Sequence, residues 1–433
     1  MYLNNNKIDD ISLLLNITNL QCIDLSNNQI KDIEELSNLT NLQRLYLSNN
    51  QIQNIDELSK LINLKWLNLN NNKVKNIARL SNLTNLQWLD LSNNKIESID
   101  ILKDLSKLNY LNLSNNKIKD IKSLNSLVDI FNLNLSNNII EEIKQLDNLT
   151  DLNELNLSNN RIEEIKGLDK LNRLHGLNLS NNRISEIKGL DRLKGLHDLN
   201  LSFNEIREIK GLDKLDELRK LNLSDNKIVA IEGLNSLRKL EFLDLSYNRI
   251  IKIEGLNMLE KLCNLNLFSN EIKEIKGLEW LDELHKLNLS DNKIVDIQGL
   301  DNLKRLKNLN LSSNEIIKIK GLKNLKRLNT LDLSFNLIRE IKGLDQLVEL
   351  EDLNLCKNKI GNIINLKYNL KLKNLNLSKN ENISIEGIKE LTHLEALDLG
   401  YTNRKELGEE IQLLTNLKEL YLRSNEKISI EGI

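Results

Sequence analysis

The sequence of 433 residues contains no proline, three cysteines and only 3% aromatic residues. The cysteines, Cys22, Cys263 and Cys356, are far apart in the chain, so they predict no disulfide framework and favour a reducing compartment. No apolar run approaches the roughly 20 residues that a membrane-spanning helix needs, and the first residues show no apolar signal segment. These absences favour the cytoplasm, with the nucleus as the alternative, over secretion or a membrane.

Neither basic nor acidic residues are in marked excess. The 60 basic and 62 acidic residues are interleaved and leave a formal net charge of −2. This balance predicts neither a nucleic-acid partner nor an anionic membrane surface. Motifs for a phosphate loop, a zinc site or an activated nucleophile are lacking, so we expect no catalytic residues, no cofactor and no metal site. The expectation is a protein that is not an enzyme.

What the sequence does contain is one repeated unit. The stretch L-N-E-L-N-L-S-N-N-R-I-E-E-I, residues 152–165, includes Asn160, and the same asparagine recurs every 22 residues from Asn6 to Asn380, eighteen times in one register. A unit of this length cannot bury its own apolar side chains. The chain is therefore predicted to be a stack of coils.

Each unit combines two local patterns. Leu155 and Leu157 alternate with a polar residue, which predicts a short strand, and the later apolar residues are spaced by threes, which favours a 3₁₀-like or irregular return. A carboxamide can both donate and accept hydrogen bonds. We therefore predict that Asn160 and its equivalents pair backbone groups that the turn leaves inside the stack.

The unit resembles the 22-residue class of the leucine-rich repeat, and the resemblance extends over essentially the whole chain. It implies an α/β solenoid of about 20 coils, a curved horseshoe with a concave parallel β-sheet and convex 3₁₀ or short helical segments. Within that class the sequence looks like regulatory subunits of type-1 protein phosphatase and, less closely, like the repeat domains of internalins.

Three blocks can be distinguished within one array that spans 1–433. Repeats in 1–159 have no glycine in the return, and repeats in 160–357 have one and show a 66-residue super-repeat. Repeats in 358–433 diverge, with Thr402 in place of the column asparagine. Because the chain begins and ends within a unit, without the polar caps that a solenoid needs, we expect a truncated array.

The candidate binding residues are aromatic. Trp66, Trp88 and Tyr110 occupy one position in three successive coils, on the face where the strands are expected. They form either an interface or a stripe that packs against neighbouring asparagine and lysine stems. The other members of the candidate partner-binding site are Tyr46, Phe131, Arg44 and Lys65. His175 and His197 are also adjacent, but without a recurring third ligand we interpret them as solvated residues.

The predicted function is a monomeric scaffold that binds a protein partner on the concave sheet. The phosphatase resemblance implies a type-1 phosphatase catalytic subunit as that partner. Two alternatives are an internalin-like surface adhesin and the recognition arm of a larger enzyme. An adhesin would need a signal peptide and an anchor, and an enzyme arm would need further domains.

Overall fold

The computed structural model describes residues 1–425 and residue 428. The chain divides into two compact units. The first unit comprises Met1–Ile206 with Lys210–Leu218, and the second comprises Arg207–Ile209 with the described residues from Arg219 onward.

From Cys22 onward each described coil contributes one strand of three residues, and the middle residue of that strand is a buried leucine in nearly all coils because alternate side chains point to the core. The strands of the first unit are β1 Cys22–Asp24, β2 Arg44–Tyr46, β3 Trp66–Asn68, β4 Trp88–Asp90, β5 Tyr110–Asn112, β6 Asn132–Asn134, β7 Glu154–Asn156, β8 Gly176–Asn178 and β9 Asp198–Asn200. The strands in the described part of the second unit are β10 Lys220–Asn222, β11 Phe242–Asp244, β12 Asn264–Asn266, β13 Lys286–Asn288, β14 Asn308–Asn310, β15 Thr330–Asp332, β16 Asp352–Asn354, β17 Asn374–Asn376, β18 Ala396–Asp398 and β19 Glu419–Tyr421.

Within each unit, consecutive strands pair in parallel, and the register follows the repeat. Trp66 lies opposite Trp88, and Trp88 lies opposite Tyr110. In the divergent region the register follows the longer unit, so that Ala396 lies opposite Glu419. The predicted solenoid, with a parallel sheet and 3₁₀ segments in the returns, is confirmed in each unit.

The returns take two forms. Five-residue 3₁₀ helices occupy the early returns, at Ser12–Asn16, Glu34–Asn38, Asp56–Lys60, Ala78–Asn82, Asp100–Asp104 and Lys122–Ser126. Further 3₁₀ helices lie in the divergent repeats, at Ile364–Tyr368, Ile388–Glu390 and Glu409–Leu413. The returns between these two groups are non-helical turns.

The change of backbone begins one coil before the first glycine of the returns. Gly167 has a left-handed φ of 69°, and Gln145, one coil earlier, already has a φ of 58°. Glycine adopts this conformation without steric cost, whereas a side chain at the same place is strained. The stack therefore imposes the turn on Gln145, and the glycines of the later coils relieve the strain.

The seven apolar positions of each unit form the core, as predicted. In the unit around Asn160 they are at most 2% exposed: Leu152, Leu155, Leu157, Ile162, Ile165, Leu168 and Leu171. Full burial of such a side chain stabilises a fold by about 1.5–3 kcal/mol. The contribution arises between coils, because one coil has no second layer of its own.

The asparagine column pairs the backbone in the way predicted for it. The Asn160 Nδ2 atom donates to the carbonyls of Leu135 and Leu157, both at 3.0 Å, and to that of Ser158 at 3.2 Å. Its Oδ1 atom accepts the N–H of Ile140 at 3.0 Å. One side chain thus joins its own coil to the coil before it.

Two departures from the repeat are accommodated differently. Thr402 replaces the asparagine and still donates from Oγ1 to the Leu399 carbonyl at 2.8 Å. Asn369 replaces a leucine, is fully buried, and has no hydrogen-bond partner for its Oδ1 atom.

Among the described residues, no helix combines the length and apolar composition needed to cross a membrane.

Candidate functional site

The aromatic residues singled out by the sequence form one stacked column. Trp66, Trp88 and Tyr110 are the first residues of β3, β4 and β5. The ring centroids of the two tryptophans are 4.4 Å apart with planes 7° from parallel, and those of Trp88 and Tyr110 are 4.9 Å apart at 6°. These separations are close to the spacing of neighbouring strands, so the sheet itself sets the stack.

The stacking decides which part of each ring remains accessible. The three side chains are half-buried, and each ring covers a face of its neighbour. The rings therefore pack on one another, whereas one of the two interpretations of the sequence had them pack on asparagine and lysine stems. What the column presents outward is largely ring edge, which carries the positive end of the aromatic quadrupole. The indole N–H of Trp66 is buried and has no hydrogen-bond partner among the described residues.

The two predicted cations flank the start of the column. Arg44 is the first residue of β2 and lies opposite Trp66, and Lys65 directly precedes β3. Both side chains are exposed. Tyr46 is the third residue of β2, one row away, and partial burial raises the pKa of its phenol. The structure thus places Arg44 opposite Trp66, Lys65 next to Trp66 in the chain, and Tyr46 opposite Asn68 at the other end of β3.

Phe131 lies beyond the other end of the column. It precedes β6, and its side chain is 53% exposed. An open cleft of about 770 Å³ joins Phe131 to Tyr110. Partial burial raises the pKa of the Tyr110 phenol, and the nearby Asp90 carboxylate adds to the shift. The candidate residues therefore surround one continuous strip of the first unit.

Sequence reasoning missed the polar wall of this cleft. Asp129, Asp151 and Arg173 line it, and the Arg173 Nη1 atom lies 2.7 Å from an Asp151 carboxylate oxygen. These residues are 22 apart, so the period itself places them in one row. Their position outside the strands kept them out of the predicted site.

His175 also lines this cleft, and His197 lies next to it in the following coil. The ring centroids of His175 and His197 are 4.8 Å apart and the rings are tilted by 53°. Within residues 1–425 and 428, no group of three or more histidine, cysteine or acidic side chains could hold a metal ion.

Glu154 lies over Gly176, where an added Cβ would be 1.9 Å from the Glu154 Oε2 atom. Burial raises the pKa of the Glu154 carboxyl, and the charge of Asp198 adds to the shift.

What this arrangement can do chemically is bind. It offers aromatic edges, two exposed cations at one end, and a cleft with carboxylates at the other. The aromatic residues stand on a strand or directly before one, and the charged residues of the cleft lie in the turns that precede the strands.

Comparison with known proteins identifies the repeat. The family model described as leucine-rich repeats in two copies matches residues 1–38, 40–83, 84–126, 172–214, 216–258, 282–324 and 304–346. No curated protein sequence matches the chain significantly.

Several solved structures share the fold. A leucine-rich repeat protein of Leptospira interrogans is 25% identical, with 91% of this chain and 100% of that chain covered and a TM-score of 0.63. The functional domain of InlJ from Listeria monocytogenes, which includes a cysteine ladder, is 23% identical over 90% and 76% of the two chains, with a TM-score of 0.60.

A plant structure is similar as well. The ectodomain of the receptor kinase GASSHO1/SCHENGEN3 from Arabidopsis thaliana, in complex with CASPARIAN STRIP INTEGRITY FACTOR 2, is 23% identical with a TM-score of 0.58. The match covers 96% of this chain and 60% of that chain. Because the family model covers more than half of the sequence, and the solenoid carries the asparagine column in every matched segment, this chain belongs to the leucine-rich repeat family.

Proposed function

We propose that the strand face of the first unit binds a protein partner, with Trp66, Trp88 and Tyr110 at the centre of the interface. The observation that carries this proposal is the half-exposed aromatic column on a face otherwise made mainly of asparagine and aspartate. Tryptophan, tyrosine and arginine are the residues most enriched at interface hot spots, and Arg44 lies directly beside the column.

The geometry favours a protein over ligands that bind by stacking. Nucleic-acid bases stack on open aromatic faces, and here the ring faces largely cover one another. Ring edges instead contact apolar side chains and the oxygen atoms of carbonyl and carboxylate groups. The near-neutral charge of the chain supports the same choice, because a nucleic-acid partner calls for a basic surface.

The specific version of this proposal names a type-1 phosphatase catalytic subunit as the partner, as the resemblance of the sequence implies. The chain would then modulate that enzyme without catalysing a reaction itself. The Arabidopsis ectodomain of the same fold, solved with CASPARIAN STRIP INTEGRITY FACTOR 2, is a precedent for a partner held by such a scaffold. An adhesin or an enzyme arm would use the same face for a different protein.

The test replaces the column by residues that the fold already accepts. Asparagine occupies the same strand position at Asn132, so the triple variant Trp66→Asn, Trp88→Asn, Tyr110→Asn keeps the coil intact. The matched control is Phe242→Asn, which changes an aromatic residue at the same strand position in the second unit. Circular dichroism and denaturant melts establish that both variants are folded.

Two binding measurements follow. Pull-downs from lysate of the source organism identify proteins captured by wild type, and titration with a purified type-1 phosphatase catalytic subunit tests the named partner. We expect the triple variant to lose at least about 30-fold in affinity, as removal of hot-spot aromatics does, and the control to bind normally. Equal capture by wild type and the triple variant would refute the interface. Loss of a partner other than the phosphatase would refute only the named partner.

A further inference from the structure

The cleft beside Tyr110 has an uncompensated charge. Three charged side chains, Asp129, Asp151 and Arg173, lie in one row along it. Arg173 and Asp151 neutralise each other through their 2.7 Å contact. The preceding residue of that row, Lys107, donates from Nζ to the Asn85 side chain at 2.8 Å, one coil farther away.

Asp129 is therefore left alone. Its carboxylate is exposed and forms no ion pair or side-chain hydrogen bond with any residue that the structure describes. It stands beside two aromatic rings, the half-buried Tyr110 and the 53% exposed Phe131. A cleft that joins an open aromatic wall to a free carboxylate is complementary to a side chain that is both flat and cationic.

We propose that this cleft binds an arginine side chain of the protein partner. The guanidinium group is planar, weakly hydrated and stacks on aromatic rings, and its fork of N–H groups matches a carboxylate. Phe131 provides a ring that no other aromatic side chain covers in this coil, in contrast to the stacked column. The arginine would lie against Phe131 and Tyr110 with its charge at Asp129.

The volume is consistent with this occupant. About 770 Å³ is within the range of sites that take small ligands, so it accommodates a long side chain together with adjacent backbone. The proposal rests on the proposed function, because it names an anchor of the same partner. It predicts that the partner places an arginine next to the residues that contact the aromatic column.

Fluorine NMR tests the cleft without any knowledge of the partner. The chain has five phenylalanines, so labelling with 4-fluorophenylalanine produces five signals, and a Phe131→Leu variant assigns the one of interest. The probes are the peptides acetyl-Gly-Arg-Gly-amide and acetyl-Gly-citrulline-Gly-amide at equal ionic strength. Citrulline keeps the shape of arginine and removes its charge.

We expect the arginine peptide to shift the Phe131 signal saturably in the millimolar range and to leave the other four signals in place. Asp129→Asn should weaken this binding about two- to fivefold, the range for an exposed ion pair. The matched control, Asp104→Asn, removes an exposed charge from a return of the same unit and should change nothing.

Three results would overturn the proposal: no shift of the Phe131 signal, an equal shift with citrulline, or unchanged affinity in Asp129→Asn. These outcomes are separate from the proposed function. If the aromatic triple variant loses its protein partner while the arginine peptide fails to bind, the interface stands and the arginine anchor is wrong. If the peptide binds and no protein partner depends on the column, the cleft does bind arginine and the aromatic column is not the interface.

Discussion

Replacing Asn160 with alanine removes a side chain that forms four hydrogen bonds to the backbone. Three of them are donated by Nδ2 to carbonyls, and one is accepted by Oδ1 from the Ile140 N–H at 3.0 Å. The carbonyls all keep a second donor, which for Leu157 is the Asn182 Nδ2 atom at 3.0 Å. The Ile140 N–H keeps no other acceptor among the described residues.

The magnitude follows from that inventory. One buried N–H without a partner costs about 1–3 kcal/mol, and the lost carbonyl contacts add little because each oxygen is still paired. We therefore expect Asn160→Ala to lower the free energy of unfolding by about 1–3 kcal/mol.

Neighbouring members of the column should be coupled. The double variant Asn160→Ala, Asn182→Ala removes both donors to the Leu157 carbonyl and also leaves the Ile162 N–H unpaired. We expect its destabilisation to exceed the sum of the single variants by about 1–3 kcal/mol, the cost of the orphaned carbonyl. In the double variant Asn160→Ala, Asn94→Ala the two lost side chains share no hydrogen-bond partner. Its destabilisation should therefore equal the sum of the single variants within about 0.5 kcal/mol.

Urea unfolding followed by far-ultraviolet circular dichroism measures these values, provided the slope with denaturant is the same in all variants. A repeat array can lose two-state behaviour, and a changed slope would reveal it. A single variant as stable as wild type would refute the pairing role of the column. Strict additivity of the adjacent pair would refute the shared carbonyl.

Three further predictions concern single residues. Gly277→Ala should lower the free energy of unfolding by more than about 1 kcal/mol, because φ is 81° and the added Cβ would be 2.2 Å from the Ile253 carbonyl oxygen. The control in the same urea melts is Gly361→Ala, where the added Cβ meets no atom within 4 Å and stability should not change. Asn369→Leu removes a buried unpaired oxygen, and the Leu344 and Leu347 carbonyls that accept from the Asn369 Nδ2 atom keep their backbone donors. We expect this variant to raise the free energy of unfolding by about 1–2 kcal/mol, and a less stable variant would contradict this. Burial raises the pKa of Glu154 above its ordinary 4.5, so ionisation of this carboxyl opposes folding at neutral pH. Glu154→Gln should therefore be more stable than wild type at neutral pH. In urea melts at a series of pH values, the difference in unfolding free energy between the two proteins should vanish as the pH falls through 4.5.

The resemblance to leucine-rich repeats and the period of the sequence predicted much of the fold. The burial of Leu155 and its equivalents and the pairing role of Asn160 follow from repetition, because a coil contacts its neighbours through the same positions. The threefold apolar spacing predicted returns that are 3₁₀-like or irregular, and both forms are present, but the spacing did not indicate which coils take which form. Gln145 was not anticipated, since a glutamine provides no local signal for a left-handed turn.

The candidate site was predictable in position and unpredictable in detail. Trp66, Trp88 and Tyr110 could be placed on one face from spacing alone, but whether the rings would cover one another depends on side-chain rotation. The cleft at Phe131 was beyond reach, because its wall comes from residues outside the strands. Which of those charges pair is decided by distances in space.

By itself the sequence determined the coil, the strand register and the buried columns of this protein, because a strict period places each residue beside its equivalents in the neighbouring coils. Only the tertiary structure decided the conformation of the returns, the mutual covering of the aromatic faces and the isolation of Asp129. Those features depend on how neighbouring side chains pack in three dimensions. More than one such packing is compatible with the same repeat pattern, so the pattern does not select among them.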